Sequence, residues 1–295
     1  MALNIVRYSN LDDRFVRDAW TPSDISTAAW YDASDTGTIT ESSGLVSQWD
    51  DKSGNGNHVT QETGSHQPVS GTRMLNGLNT LDFDGSDDRL VNTSGASSLF
   101  PVNTLCHVFV VVQYDSNTNG NIVVYGKDGT AGLQNGNTYD GYGLTTGFEA
   151  HIDSDRNTFG VGTFLQDGGS TSRALADTPQ GVSITNPTLQ YGLFDRAAVN
   201  VYVEAWENGV LGDSGSGTGA SDTVATTFIL GGNGSTDTNL TRCLNGILGE
   251  VCIITGILSI KTRQKIEGYL AWKWGLYANL PSTHPWKTAP PVNGA

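Results

Sequence analysis

The chain has 295 residues, of which 37% are hydrophobic, 16% are charged and 37 residues are glycine. That apolar content supports a sizeable core and excludes disorder over most of the length, while the surplus of Gly, Ser, Thr, Asn and Asp is wrong for a helical protein, because those residues favour turns and caps over helix interiors. Sixteen Lys and Arg against 30 Asp and Glu give a net charge of −14, the opposite of what phosphate binding needs, so nucleic acid is not an expected partner.

In chain order, Met1 to Phe15 mixes Arg7, Asp12, Asp13 and Arg14 with scattered apolar residues and holds no hydrophobic block before a small-residue cleavage site, which predicts no signal peptide. Trp20-Thr21-Pro22-Ser23-Asp24 breaks the pattern, so residues 1–27 read as an arm. From Ala28 to about Gly256 the sequence is strand and turn. Leu78 to Asp84, Leu105 to Tyr114, Asn121 to Tyr125, Leu189 to Phe194, Ala198 to Trp206, Thr226 to Leu230 and Ile247 to Thr255 are β-branched or aromatic runs bounded by turn residues, the pattern of an all-β sandwich. Asn208-Gly209 after the alternating run is a strong hairpin signal.

Within Ala198 to Trp206 the alternation separates two faces. Val199, Val201, Val203 and Ala205 make a core face, and Asn200, Tyr202, Glu204 and Trp206 make the other. Tyr202, Glu204 and Trp206 form a half-hydrophobic surface of the type that holds a sugar or a neighbouring protein; a covering loop of the same fold is the other open reading. Ser259 is a fitting N-cap for a helix over about 259–276, with Ile266, Leu270 and Trp274 on its apolar face and Lys261, Lys265 and Lys273 expected toward solvent. The Pro-rich segment from Leu280 to Lys287 then runs along the surface with Trp286 as its anchor. Residues 28–290 thus form one domain, followed by a short tail, 291–295. Residues 258 to 295 carry five cations against Glu267, a net +4, so the acidic charge lies in the preceding 257 residues.

Three cysteines cannot all pair, and Cys106 and Cys252 lie in apolar runs, which predicts buried free thiols and synthesis in a reducing compartment. No apolar run reaches the ~18 residues of a membrane span. Asp51, Ser53 and Asn55, with Gly56 at position 6 and Glu62 at position 12, place oxygen groups at the spacing of a calcium loop, and Asn57 adds another. The strand before it and the absence of a helical period after it fit a different calcium geometry or a plain Asx-Gly turn better than an EF-hand. No other motif requires a cofactor. Glu149 and Asp153 share a strand face, but four residues of flat strand span about 13 Å at ~3.3 Å each, beyond the ~5 to 9.5 Å of glycosidase carboxylate pairs. No G-x-S-x-G elbow or phosphate loop occurs.

Trp30-Tyr31-Asp32-Ala33-Ser34-Asp35, Val46 to His58, Asn76-Gly77-Leu78 with Leu81-Asp82-Phe83-Asp84-Gly85, Gly246 to Val251, and Ile266 to Leu276 with Leu280-Pro281 and His284-Pro285 together resemble the concanavalin A-like, laminin G-type domains of bacteriophage virion proteins. The resemblance runs in order from about residue 28 to 290. It implies a jelly-roll sandwich of two antiparallel sheets with a C-terminal helix, made in the host cytoplasm and displayed on a phage head or tail as a structural protein. Phage capsid or tail proteins and further copies of the chain are the partners it implies. Residues 1–27 would then attach the domain, with Leu3, Ile5, Tyr8, Phe15 and Trp20 buried in the partner or, equally, on the chain's own sandwich. The alternative is a lectin-like module for host or environmental glycans, with or without calcium. The glucanases of this fold resemble one another in an E-x-D-x-x-E strand motif that is missing here, so no enzymatic activity is expected.

Overall fold

The computed structural model describes residues 19–101, 103–115, 122–128, 141–146, 161–166, 173–177, 185–195, 202–216, 225–232 and 243–294. Seventeen strands follow in chain order: β1 Ala29–Asp32, β2 Ile39–Ser42, β3 Leu45–Trp49, β4 Val59–Thr60, β5 Val69–Leu75, β6 Leu78–Asp84, β7 Leu90–Asn92, β8 Leu105–Tyr114, β9 Ile122–Asp128, β10 Gly141–Thr146, β11 Val161–Gln166, β12 Arg173–Asp177, β13 Thr188–Asp195, β14 Tyr202–Glu207, β15 Val210–Ser216, β16 Ala225–Leu230 and β17 Asn245–Thr255. Two α-helices are present among the described residues, a single turn α1 at Ala96–Leu99 and the long α2 at Ile260–Lys273. No helix among them is long and apolar enough to cross a membrane.

Among the described residues all pairings are antiparallel, and the ladder folds into two layers. One layer runs β5-β6-β17-β8-β13-β14-β15, with β1 replacing β6 beside the second half of β17. The other runs β2-β3-β4-β7-β16-β9-β10-β11-β12, and the pair Leu45–Val69 links the two. Period-two alternation decides what each strand buries. In β8, Cys106, Val108, Val110, Val112 and Tyr114 fill the core between the layers with Phe194, Phe228, Leu230 and Leu248, while Phe109 and Val111 face outward into a second core under α2. The central strands read as unbroken apolar runs because both of their faces are covered.

Helix α2 starts where the Ser259 hydroxyl accepts from the Thr262 N–H at 3.0 Å, and it ends before Gly275, which has φ of 75°. Ile266, Leu270 and Trp274 are fully buried on the sheet. Lys273 does not face solvent as its helical position suggests; its side chain is 7% exposed and lies 2.6 Å from both Glu250 and Asp32. The reason is Glu250, a carboxylate with no exposure in the middle of β17. Its Oε1 accepts from Trp30 Nε1 at 2.7 Å and the Tyr269 hydroxyl at 2.9 Å, and its Oε2 accepts from Lys273 Nζ at 2.6 Å and Trp274 Nε1 at 2.8 Å. Burial pushes the Glu250 carboxyl up; four donors on two oxygens offset that cost, since only an unprotonated carboxylate accepts from all of them. Lys52, paired with Asp32 and Asp35, closes the network at the surface.

The C-terminal segment, expected from sequence along the sandwich surface, packs on α2 through Trp286. Gly268 sits where a Cβ would lie 2.6 Å from the Cβ of Trp286, so the helix carries a glycine to let the segment approach. Trp272 Nε1 donates to the Trp286 carbonyl, and His284 is buried against Glu267. At the other end of the chain, Ala19 pairs with Val292 and Trp20, 3% exposed, packs edge-on against Tyr269 with ring centres 6.1 Å apart. Trp20, read from sequence as buried either in a partner or on the chain's own sandwich, packs on the chain's own helix. Leu3, Ile5, Tyr8 and Phe15 lie outside the described residues.

Candidate functional site

Strand β14 presents two chemically different faces. Val203 and Ala205 are fully buried in the inter-layer core, and Tyr202, Glu204 and Trp206 stand half-buried on the outer face; Val199, Asn200 and Val201 lie outside the described residues. The Glu204 carboxylate is held between its two neighbours, with Oε1 accepting from the Tyr202 hydroxyl at 2.9 Å and Oε2 from Trp206 Nε1 at 2.8 Å. Residues i and i+2 share a strand face, so the sequence Tyr-x-Glu-x-Trp by itself sets up this bridge. Burial and the adjacent carboxylate push the Tyr202 hydroxyl up, which keeps it a donor at neutral pH. A register shift between Ala205 and Trp206 leaves Gly212 of β15 without a partner residue. That bulge increases the local twist next to the Trp206 ring.

A helix residue completes the face. Arg263 of α2 lies over the Trp206 ring at 3.8 Å and over the Tyr191 ring at 5.7 Å, and its Nη1 donates to Glu267 Oε1 at 2.6 Å. Glu267 Oε2 faces His284 Nε2 at 3.0 Å, and His284 Nδ1 accepts from the Trp286 N–H. The histidine proton therefore lies on Nε2, pointing at the carboxylate. Thus one face of the Trp206 ring is occupied by a guanidinium that a buried carboxylate fixes. Beneath it, Tyr191 stacks on Phe109 with ring centres 4.5 Å apart. Its hydroxyl meets His107 Nδ1 at 2.8 Å, and His107 Nε2 meets the Gly256 carbonyl at 3.0 Å. That carbonyl only accepts, so Nε2 carries the proton, and burial pushes the imidazole down, keeping it neutral.

The loop singled out for calcium has a different set of partners. Asp51 Oδ1 accepts from the N–H groups of Trp30 and Ser53, and Oδ2 accepts from Ser53 Oγ and the Asn57 N–H. Asn55 and Asn57 turn their amides to the Ala28 carbonyl, and Glu62 is exposed. Asp51 is thus surrounded by donors, the arrangement of an Asx-stapled turn, with Gly54 and Gly56 at positive φ. Among the described residues, Asp84, Asp87 and Asp88 bring their carboxylates within 4.8 Å of one another, a cluster the sequence reading did not single out. Burial, then the neighbouring carboxylates, push Asp88 up to about 7, against a lowering hydrogen bond from the Asp84 N–H. Glu149 and Asp153 lie outside the described residues.

Known structures share this architecture. Domain 4 of AbnA, a GH43 extracellular arabinanase from Geobacillus stearothermophilus solved with arabinotriose, superposes with a TM-score of 0.52 at 13% identity, covering 80% of this chain and 96% of that one. The fold is a jelly-roll β-sandwich. An arabinofuranosidase solved with arabinofuranosyl-α-1,2-xylobiose matches the sandwich with a TM-score of 0.52 at 13% identity, over 87% of this chain and 61% of that one. A GH54 α-L-arabinofuranosidase soaked with a cyclic sulfate inhibitor gives 0.51 at 13% identity, over 88% and 61%. This sandwich therefore spans about three fifths of those two enzymes. No protein-family model matches the sequence, and no curated protein matches it. The expectation that the chain has no enzymatic activity is overturned by these neighbours: two are glycoside hydrolases and the third is a domain of one, so the missing strand motif is no ground for excluding hydrolysis.

Proposed function

We propose that the chain is a carbohydrate-binding β-sandwich that takes its glycan on the outer face of β14. The observation that carries the reading is the Glu204 carboxylate, fixed between the Tyr202 hydroxyl and Trp206 Nε1, with the Arg263 guanidinium over the Trp206 ring. A pre-oriented carboxylate accepts from sugar hydroxyls, Arg263 donates to them, and the amphipathic rings wall the contact. Because Arg263 covers one face of Trp206, the sugar lies against Tyr202, Glu204 and the exposed ring edge rather than on that face. Two of the solved neighbours were determined with arabinose- and xylose-containing ligands, so arabino-oligosaccharides and xylo-oligosaccharides are the first probes within a broad glycan array.

On this reading the protein binds a subset of the array, and Glu204→Gln weakens that binding by about 10- to 100-fold, the loss of hydrogen bonds to a charged acceptor, with an unchanged melting temperature. Full binding by Glu204→Gln would remove the face from the account. Display on a virus particle, which the sequence resemblance implies, is a separate proposal about location. Co-sedimentation with particles in a density gradient supports it, and recovery only in the free fraction rejects it.

A further inference from the structure

Four polar side chains stand on the inner face of the sandwich where their neighbours are apolar. Tyr114 of β8, Thr188 and Gln190 of β13 and Glu207 of β14 alternate in phase with Val112, Phe194 and Ala205 of the inter-layer core, and none is more than 5% exposed. The Tyr114 hydroxyl donates to Gln190 Oε1 at 2.8 Å, and Thr188 Oγ1 donates to Glu207 Oε1 at 2.7 Å. Gln190 Nε2 is buried with no hydrogen-bond partner among the described residues, although the residue has no exposure at all. Folds rarely keep an amide sealed from water in this way, because its lost hydration goes uncompensated.

Gln190 and Glu207 are directly opposed in the β13–β14 register, which sets their Cβ atoms about 4.5–5.5 Å apart. A group joining the two must accept from the amide and donate to the carboxylate. A hydroxyl oxygen does both, whereas a carboxylate brings no proton and an ammonium cannot accept. We propose that Tyr114, Thr188, Gln190 and Glu207 form an internal hydroxyl-binding site, in which a proton-bearing oxygen, from water or from a ligand hydroxyl, accepts from Gln190 Nε2 and donates to Glu207. Burial also pushes the Glu207 carboxyl up, and a donor to its oxygens lowers that cost. The site lies on the opposite side of β14 from Trp206 and does not depend on the outer face binding glycan.

The test is a crystal structure of the full chain at a resolution that shows ordered water, free and soaked in arabinotriose, together with the Gln190→Leu variant. An oxygen about 2.7–3.2 Å from Gln190 Nε2 and in contact with Glu207 is the expected result. Its presence in both crystals as an isolated atom identifies water; its replacement by a sugar oxygen after soaking identifies the ligand. Gln190→Leu, which also removes the acceptor of the Tyr114 hydroxyl, loses that oxygen. A Gln190 amide bonded to a protein atom, or no oxygen within reach of it in either crystal, overturns the proposal, and the parent crystals decide this even if the variant does not fold.

Discussion

Buried ionisable groups set the residue-scale behaviour. Burial raises the Asp32 carboxyl, but the Lys273 and Lys52 ammoniums outweigh it and hold the group at about 2. A carboxyl depressed on folding contributes stability above its unfolded value of ~3.9, and that stability is lost as pH falls toward 2. Lys273→Met leaves Glu250 and Asp32 without their shared cation, and about 3–5 kcal/mol of unfolding free energy is lost in denaturant titrations at pH 7. Asp88 acts in the opposite sense. Held at about 7 in the fold, it stabilises the protein in full below ~4 and progressively less as pH rises through 7. Asp88→Asn flattens that dependence, and its stability exceeds the parent's by roughly 1–3 kcal/mol at pH 8; a parent whose stability does not fall between pH 5 and 8 would contradict this assignment. None of these roles was visible in the helix periodicity, which placed Lys273 on the solvent side, because its partner Glu250 belongs to a strand. The available signal was Glu250 itself, a lone carboxylate inside the apolar run from Leu248 to Ile254.

Among the elements, α2 has three tasks: it covers the outer core, clamps the C-terminal segment and supplies Arg263 to the candidate face. Its cap and apolar stripe were legible, since Ser259 and the spacing of Ile266, Leu270 and Trp274 are local signals. The landing of Arg263 on Trp206 was not, being a contact between residues 57 positions apart. Gly268 is the test of how the segment docks. Glycine to alanine inside a helix ordinarily stabilises by about 1 kcal/mol, yet Gly268→Ala forces a methyl group into Trp286, so a lowered melting temperature and faster proteolysis after residue 280 are expected. A stabilised variant would show that the segment does not pack there. The strands split similarly. The β6 and β8 boundaries coincide with the β-branched and aromatic runs, whereas β10 to β12 and β15 are rich in Gly, Thr, Ser and Ala and become strands through their pairing rather than their propensity.

For the whole molecule, the sandwich and its closing helix follow from composition and periodicity, because alternating runs bounded by turn residues leave few other architectures. The Tyr202, Glu204 and Trp206 face was likewise readable from alternation alone. What covers half of it, and the polar end of the inner core around Gln190, required the register between strands distant in sequence. Function is less tightly bound to the fold, since a similar sandwich occurs in an arabinanase domain solved with arabinotriose and within arabinofuranosidases. The most direct measurement is a structure of the protein with an oligosaccharide selected on the glycan array. A sugar hydroxyl within hydrogen-bond distance of the Glu204 carboxylate, on the outer face of β14, is the predicted result. A sugar bound elsewhere, with Tyr202, Glu204 and Trp206 untouched, would contradict the account.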